Sequence, residues 1–328
     1  MPTPTPGPGS GSALLRERVR RVFREFAGAL AGEEEPVHQV RVAGRRLRVA
    51  LPLLARKPGG RRVRKGRRIL RDLTRAAGAG RDLDVLMTLF QNRLVDLEVI
   101  SPEQKELRRR MRAARTRSRN GLTEGILDLD IDGLRRHLRR IRAGGTADTE
   151  TVLARTRAES ERDGARVLEG LAEVGDRYDP AALHALRRRI RELRYTAEVD
   201  EALRGREPGA SAAWKKLQDA IGIFHDVHVL AEWLGKQAER AEARKRPELA
   251  AAATLERLFF EEEGRRLHRQ LLEARPAELA AGAVEIVMQG GRGPDDTKTG
   301  DPTPPSSAPE RPSSYHSAPR ASPTTIGP

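Results

Sequence analysis

Two histidines each head a matched row of arginines. His38, Arg41, Arg45 and Arg48 recur at spacings of three and four, and His184, Arg187, Arg191 and Arg194 repeat that spacing. With about 3.6 residues per turn, each row lies along one face of an α-helix. Guanidinium groups present planar forks of N–H donors that match phosphate oxygens, and an imidazole adds one more hydrogen bond. The chemistry predicted is capture of a polyanion. An unperturbed histidine titrates near pH 6.5, so each should become a stronger anion ligand as pH falls. The competing reading of either histidine alone is an interior helix-start residue bonded to a backbone carbonyl; repetition at the head of two arginine rows favours phosphate contact.

Reactive chemistry is harder to build from this chain. There is no cysteine, which excludes disulfides, thiolate metal sites and a cysteine nucleophile. His225, Asp226 and His228 crowd three potential metal ligands together, but no distant ligand is evident in the sequence, so no metal and no other cofactor is expected. A phosphohistidine relay at His38 or His184 is the one enzymatic alternative. Neither residue has a recognisable carboxylate pair, and neighbouring arginines would depress histidine nucleophilicity. No catalytic residues and no enzyme activity are expected.

The elements that must position these rows are helices. Val37, Val40, Gly44, Leu47, Leu51 and Leu54 form an apolar seam one residue out of phase with the first row, and Leu183, Leu186, Ile190 and Leu193 do the same for the second. The cations therefore flank the core edge instead of opposing it. A further basic face carries Arg61, Arg64, Lys65, Arg68, Arg71 and Arg75. Ser12 is a plausible start for a helix running to Leu30, and Pro52 predicts a kink or early end of the first histidine helix. Ser101-Pro102-Glu103 and Asp179-Pro180 are restart signals. Gly78 and Gly80 interrupt one helical stretch. Leu73, Gly78 and Asp82 match Leu217, Gly222 and Asp226 at an offset of 144, and the histidine rows match at 146. Matched segments in one order at nearly one offset argue for tandem duplication. Aromatics are only 3%, against 33% charged residues, which disfavours an all-β fold. The fold class expected is all-α, with two pseudo-symmetric four-helix bundles and a basic channel between or along them. Residues 1–12 are expected as a disordered leader, 13–147 as the first repeat, 148–288 as the second and 289–328 as a disordered Pro/Ser/Thr-rich tail.

Net charge is +15 at pH 7, and nearly all of the 62 basic residues are Arg. That excess calls for an acidic partner. An Arg-rich genome would give the same composition, so position carries the argument. Only three Tyr, two Trp and six Phe occur, most at apolar helical positions, whereas single-strand binders offer aromatic platforms. Nucleic acid is the disfavoured alternative partner. No apolar run reaches the ~20 residues of a membrane span, so the default expectation is a cytoplasmic protein with no membrane partner.

These residues carry a family resemblance. Val37-His38-Gln39-Val40-Arg41 with Arg45-Arg46-Leu47-Arg48 resembles the first signature of the CHAD family, named for a histidine on an α-helical domain. Leu183-His184-Ala185-Leu186-Arg187 with Ile190 to Tyr195 resembles its second. Arg81-Asp82-Leu83-Asp84-Val85-Leu86 and the run from Leu217 to Asp226 resemble its shorter aspartate motifs. The similarity extends over about residues 13–288. It implies paired four-helix bundles around a basic channel, and binding of inorganic polyphosphate there. By this resemblance the phosphate ligands are His38, Arg41, Arg45, Arg48, His184, Arg187, Arg191 and Arg194, joined by Arg71 and Lys215. Arg46, Arg64, Lys65, Arg68, Arg188 and Lys216 complete the candidate set. Some family members adjoin a triphosphate-processing domain with an alternating Glu-x-Glu-x-Lys strand. That motif is absent here, so a polyphosphate- or triphosphate-processing partner would be another chain, and association with polyphosphate granules is implied as a location. Glu192 stands where the first repeat has Arg46, and His225 where it has Arg81. The two halves are therefore expected to differ in role.

Overall fold

Ser10 accepts the backbone N–H of Ala13 and starts α1 (Gly11–Arg24), two residues before the expected cap at Ser12. In this computed structural model the described residues are 10–175 and 178–289, with 79–81 given by backbone alone. Residues 1–9 of the expected leader and 290–328 of the expected tail lie outside them, whereas Gly11 and Ser12 are already helical. Helix does not continue unbroken to Leu30. It breaks at Glu25, and a short α2 (Phe26–Leu30) follows.

The first histidine helix is α3 (Glu34–Leu54), with Glu34 and Glu35 in its first turn, where carboxylates complement the helix dipole. It continues only two residues past Pro52. Arg155 gathers the carbonyls left at its end, donating to those of Pro52, Leu53 and Ala55 at 3.4, 2.8 and 2.9 Å. The basic helix α4 (Arg61–Ala76) is followed by α5 (Ala79–Val95), with Gly78 between them. At Ser101 a full capping box forms with Gln104 and opens α6 (Pro102–Leu127), which is eight residues longer than the pattern suggested. Asp130 caps α7 (Ile131–Ala143), and Asp148 caps α8 (Thr149–Val174). Asp179 caps α9 (Pro180–Arg204), the second histidine helix. Then come α10 (Ala210–Glu242), α11 (Pro247–Glu273) and α12 (Pro276–Met288). Among the described residues there is no strand, and one isolated bridge joins Ala55 to Thr146.

The apolar seams lead inward as their spacing requires. Val40, Leu47, Leu51 and Leu54 are sealed in a core shared by α1, α2, α3, α4, α6 and α7, to which α8 and α9 add Val152, Tyr195, Val199 and Leu203. Each such leucine contributes roughly 1.5–3 kcal/mol of burial. Leu183, Leu186, Ile190 and Leu193 enter a second core with α8, the first half of α10, the end of α11 and α12. A third core was not expected. It joins α5 and α6 to the second half of α10 and to α11, so it takes residues from both halves of the sequence.

Candidate functional site: arginine rows at the α3–α9 contact

α3 and α9 pack against each other, and their arginine rows meet at that contact. All four members of each row are half-buried, as the offset from the apolar seams demands. The cations then divide by partner. Arg41 donates to the Gly78 carbonyl and to Asp82, both at 3.0 Å. Arg48 donates to Glu192 at 3.0 Å. Glu198, one turn beyond Arg194, collects three guanidiniums: Arg46 at 2.8 Å, Arg18 at 3.2 Å and Arg194 at 3.5 Å. Arg46 and Arg194 also flank the buried Tyr195 ring, at 5.7 and 5.8 Å from its centroid.

Arg45, Arg187 and Arg191 are different. Among the described residues none of the three has an ion-pair partner, and the Arg187 Nε is buried without a hydrogen-bond partner. Burial lowers the Arg45 pKa, the like charges of Arg191, Arg41 and Arg187 lower it further, and it is pushed down to about 9, still cationic at neutral pH. Arg191 is lowered chiefly by burial as well; Tyr195 opposes this, and Arg187 adds repulsion. These cations meet like charge where a salt bridge would normally stand.

Two glycines lie against these rows. A Cβ on Gly78 would lie 3.6 Å from the Arg41 Cζ, and one on Gly222 would lie 3.7 Å from the Arg187 Nε. Each arginine thus rests over a glycine of the segment that follows its own helix.

His184 and His225 sit beside Arg187, with their Nδ1 atoms 3.0 Å apart and ring centroids at 4.4 Å. One Nδ1 donates and the other accepts, which requires at least one neutral ring. Burial first, then Arg187 and His184, push the His225 pKa down to about 4, against the pull of Asp82. His184 is lowered by burial and by Arg188, Arg187 and Arg191. The pair is neutral at pH 7, and its protonation is displaced below the ordinary histidine range. His38 is half-buried on α3.

The remaining predicted ligands are more peripheral, Lys215 in a cavity with Arg46, Arg194 and Glu198. Arg64 donates to the Gly59 carbonyl, Arg71 to Asp72 at 3.4 Å, and Lys215 to Asp219 at 2.5 Å. Arg68, Arg188 and Lys216 are exposed. Lys65 lines a cavity of about 660 Å³ with Arg61, His137 and Arg140, against α7. The Glu198 cluster was missed, although Arg194 and Glu198 at i, i+4 are a legible pair. Arg115 and Arg119 hold Asp84 and Glu34, with Arg119 at 3.4 and 2.9 Å. They fasten α6 to α5 and to the start of α3. Among the described residues no cluster of three or more His, Asp or Glu could hold a metal ion, and no helix is long and apolar enough to cross a membrane.

The fold has a solved counterpart. The crystal structure of the CHAD domain from the plant Ricinus communis superposes with a TM-score of 0.55 at 21% identity, covering 86% of this chain and 91% of that one. Two uncharacterized proteins of Mycobacterium tuberculosis, recorded in two strains, are each 28% identical over 217 residues, or 62% of this chain. The matched region is 40% of their length, so this chain spans less than half of those relatives. The family model of the CHAD domain matches residues 13–235, from α1 into α10, including both histidine rows. With the family's histidine helices in place and most of its chain matched, this protein belongs to the CHAD family.

Proposed function

We propose that the protein binds inorganic polyphosphate, without transforming it, in the groove where α3 and α9 meet. The observation that carries the reading is the trio Arg45, Arg187 and Arg191: half-buried guanidiniums facing like charge, with no carboxylate partner among the described residues. A polyanion threaded between them would supply the missing counter-charge. Polyphosphate has about one negative charge per unit and no bases, so it asks for forks and not for stacking rings. Tyr195, the aromatic residue at the contact, is 5% exposed and offers no platform to a base. Arg41 and Arg48, already paired to Asp82 and Glu192, would turn toward the ligand at the groove ends.

The same proposal includes an internal duplication. α1, α3, α6 and α7 correspond in order to α8, α9, α11 and α12, and α4 with α5 corresponds to α10. Arg41 over Gly78 and Arg187 over Gly222 are then one contact used twice. The groove straddles the relation between the repeats, which is why both rows reach it. In this reading the protein is a cytoplasmic, granule-associated carrier that delivers polyphosphate to a processing enzyme on another chain.

Titration of the full chain with long-chain polyphosphate, pyrophosphate, RNA and duplex DNA at two salt concentrations tests it. Long polyphosphate should bind tightest and weaken steeply with salt through counterion release. Arg187→Glu should reduce that affinity by at least about tenfold, with helical circular dichroism unchanged. RNA or DNA binding as tightly, or indifference to Arg187→Glu, overturns the proposal. Release of phosphate during incubation overturns its non-enzymatic part.

A further inference from the structure

A second cationic cavity, of about 470 Å³, lies over the third core and shares no lining residue with the groove. Arg109, Arg110 and Arg117 enter it from α6, Arg240 from α10, and Arg244 and Arg246 from the turn before α11. One carboxylate, Glu106, lines it with them. Glu106 accepts two bonds from Arg109 at 2.6 and 2.9 Å and one from Arg110 at 2.9 Å, and it lies 3.8 Å from Arg246. Those hydrogen bonds, Arg109's first, hold its pKa at about 2 against burial, so it stays ionised and keeps three guanidiniums fanned. Among the described residues, Arg117, Arg240 and Arg244 have no ion-pair partner. Six guanidiniums against one carboxylate leave a strong demand for an anion.

This cavity also has what the groove lacks, an accessible aromatic ring. Trp233 is half-buried in its wall, and no guanidinium of the described residues stacks on it. Gln237, one helical turn on and 4% exposed, sets a carboxamide beside the indole. Phosphate alone has no use for either. The volume suits one small molecule and falls in the usual range of roughly 300–1,000 Å³.

We infer that this cavity binds a nucleoside polyphosphate, with its base against Trp233 and Gln237 and its phosphates on Arg117, Arg240 and Arg244. The site is separate from the groove, so the two readings stand or fall apart.

The test is calorimetric titration of the full chain with ATP and with inorganic triphosphate, alongside tryptophan fluorescence. Trp214, the other tryptophan, is sealed in the second core, so a ligand-dependent signal reports Trp233. ATP should bind saturably and quench the emission. The exposed pair Arg240→Glu/Arg244→Glu should weaken ATP at least about tenfold with the helical signal retained. Trp233→Leu should weaken ATP by about tenfold, the size of one base–aromatic stack, and leave triphosphate unchanged. Arg187→Glu in the groove should leave ATP affinity within about twofold. The inference is overturned if ATP shows no saturable binding at millimolar concentration, or if the Arg240/Arg244 variant binds it normally. Equal affinity for triphosphate and ATP, or loss of ATP on Arg187→Glu, overturns it too.

Discussion

Arg45, Arg187 and Arg191 oppose folding in the absence of an anion. A buried charge without a partner costs stability, and replacing it with a well-packed apolar group is often neutral or stabilising. Arg191→Met should therefore raise stability by about 1 kcal/mol in thermal melts while lowering polyphosphate affinity roughly tenfold, the loss of one charge-assisted contact. A variant that melts lower and binds normally would place Arg191 in the scaffold. The histidine pair gives a second prediction. Its folded pKa values lie below the unfolded 6.5, with His225 near 4. As pH falls through that window the unfolded chain takes up protons that the folded chain refuses, so stability should decline between about pH 6.5 and 4 and level off below it. Thermal melts across that range should show the slope, and His225→Asn should flatten it in part, since His184 and His137 are lowered too. Which arginines line a helix face was legible from spacing alone. Which of them are free was not, because Glu198 and Glu192 reach across helices to claim Arg46 and Arg48.

At the scale of elements, the close approach of α3 and α4 sets how firmly the first row is held. A Cβ on Gly44 would lie 2.8 Å from the Thr74 methyl, and the Thr74 hydroxyl is tied to the Arg71 carbonyl at 2.9 Å. Gly44→Val should cost about 1–3 kcal/mol by overpacking. Thr74→Ser in the same background should recover part of that loss, and thermal or denaturant unfolding of the single and double variants checks both. Helix starts with strong local chemistry were readable: Ser101-Pro102 and Asp179-Pro180 open α6 and α9 where expected. Ser10 and Ser12 offer the same cap chemistry, and the nearer-to-pattern choice was wrong. Glycine was a poor guide on its own. Gly78 parts α4 from α5, whereas Gly222 lies inside the 33-residue α10. Ile221, Phe224 and Val227 carry a buried seam straight across Gly222.

For the whole molecule, two matched segments were visible in the sequence, and the all-helical class followed from composition and period. The third core stayed hidden because its residues come from stretches far apart in the chain. Phe90 and Met111 from one half pack with Leu230 and Phe260 from the other, a pairing that no local pattern encodes. α10 makes that pairing structural: it starts in the second core and ends in the third without a break. A fragment cut at the Ala143–Asp148 boundary would therefore not be a smaller version of this protein. Either piece would leave half of the third core facing water, and the second would keep α10 with one end unclothed. Two stretches can match in sequence and still be unable to live as separate domains.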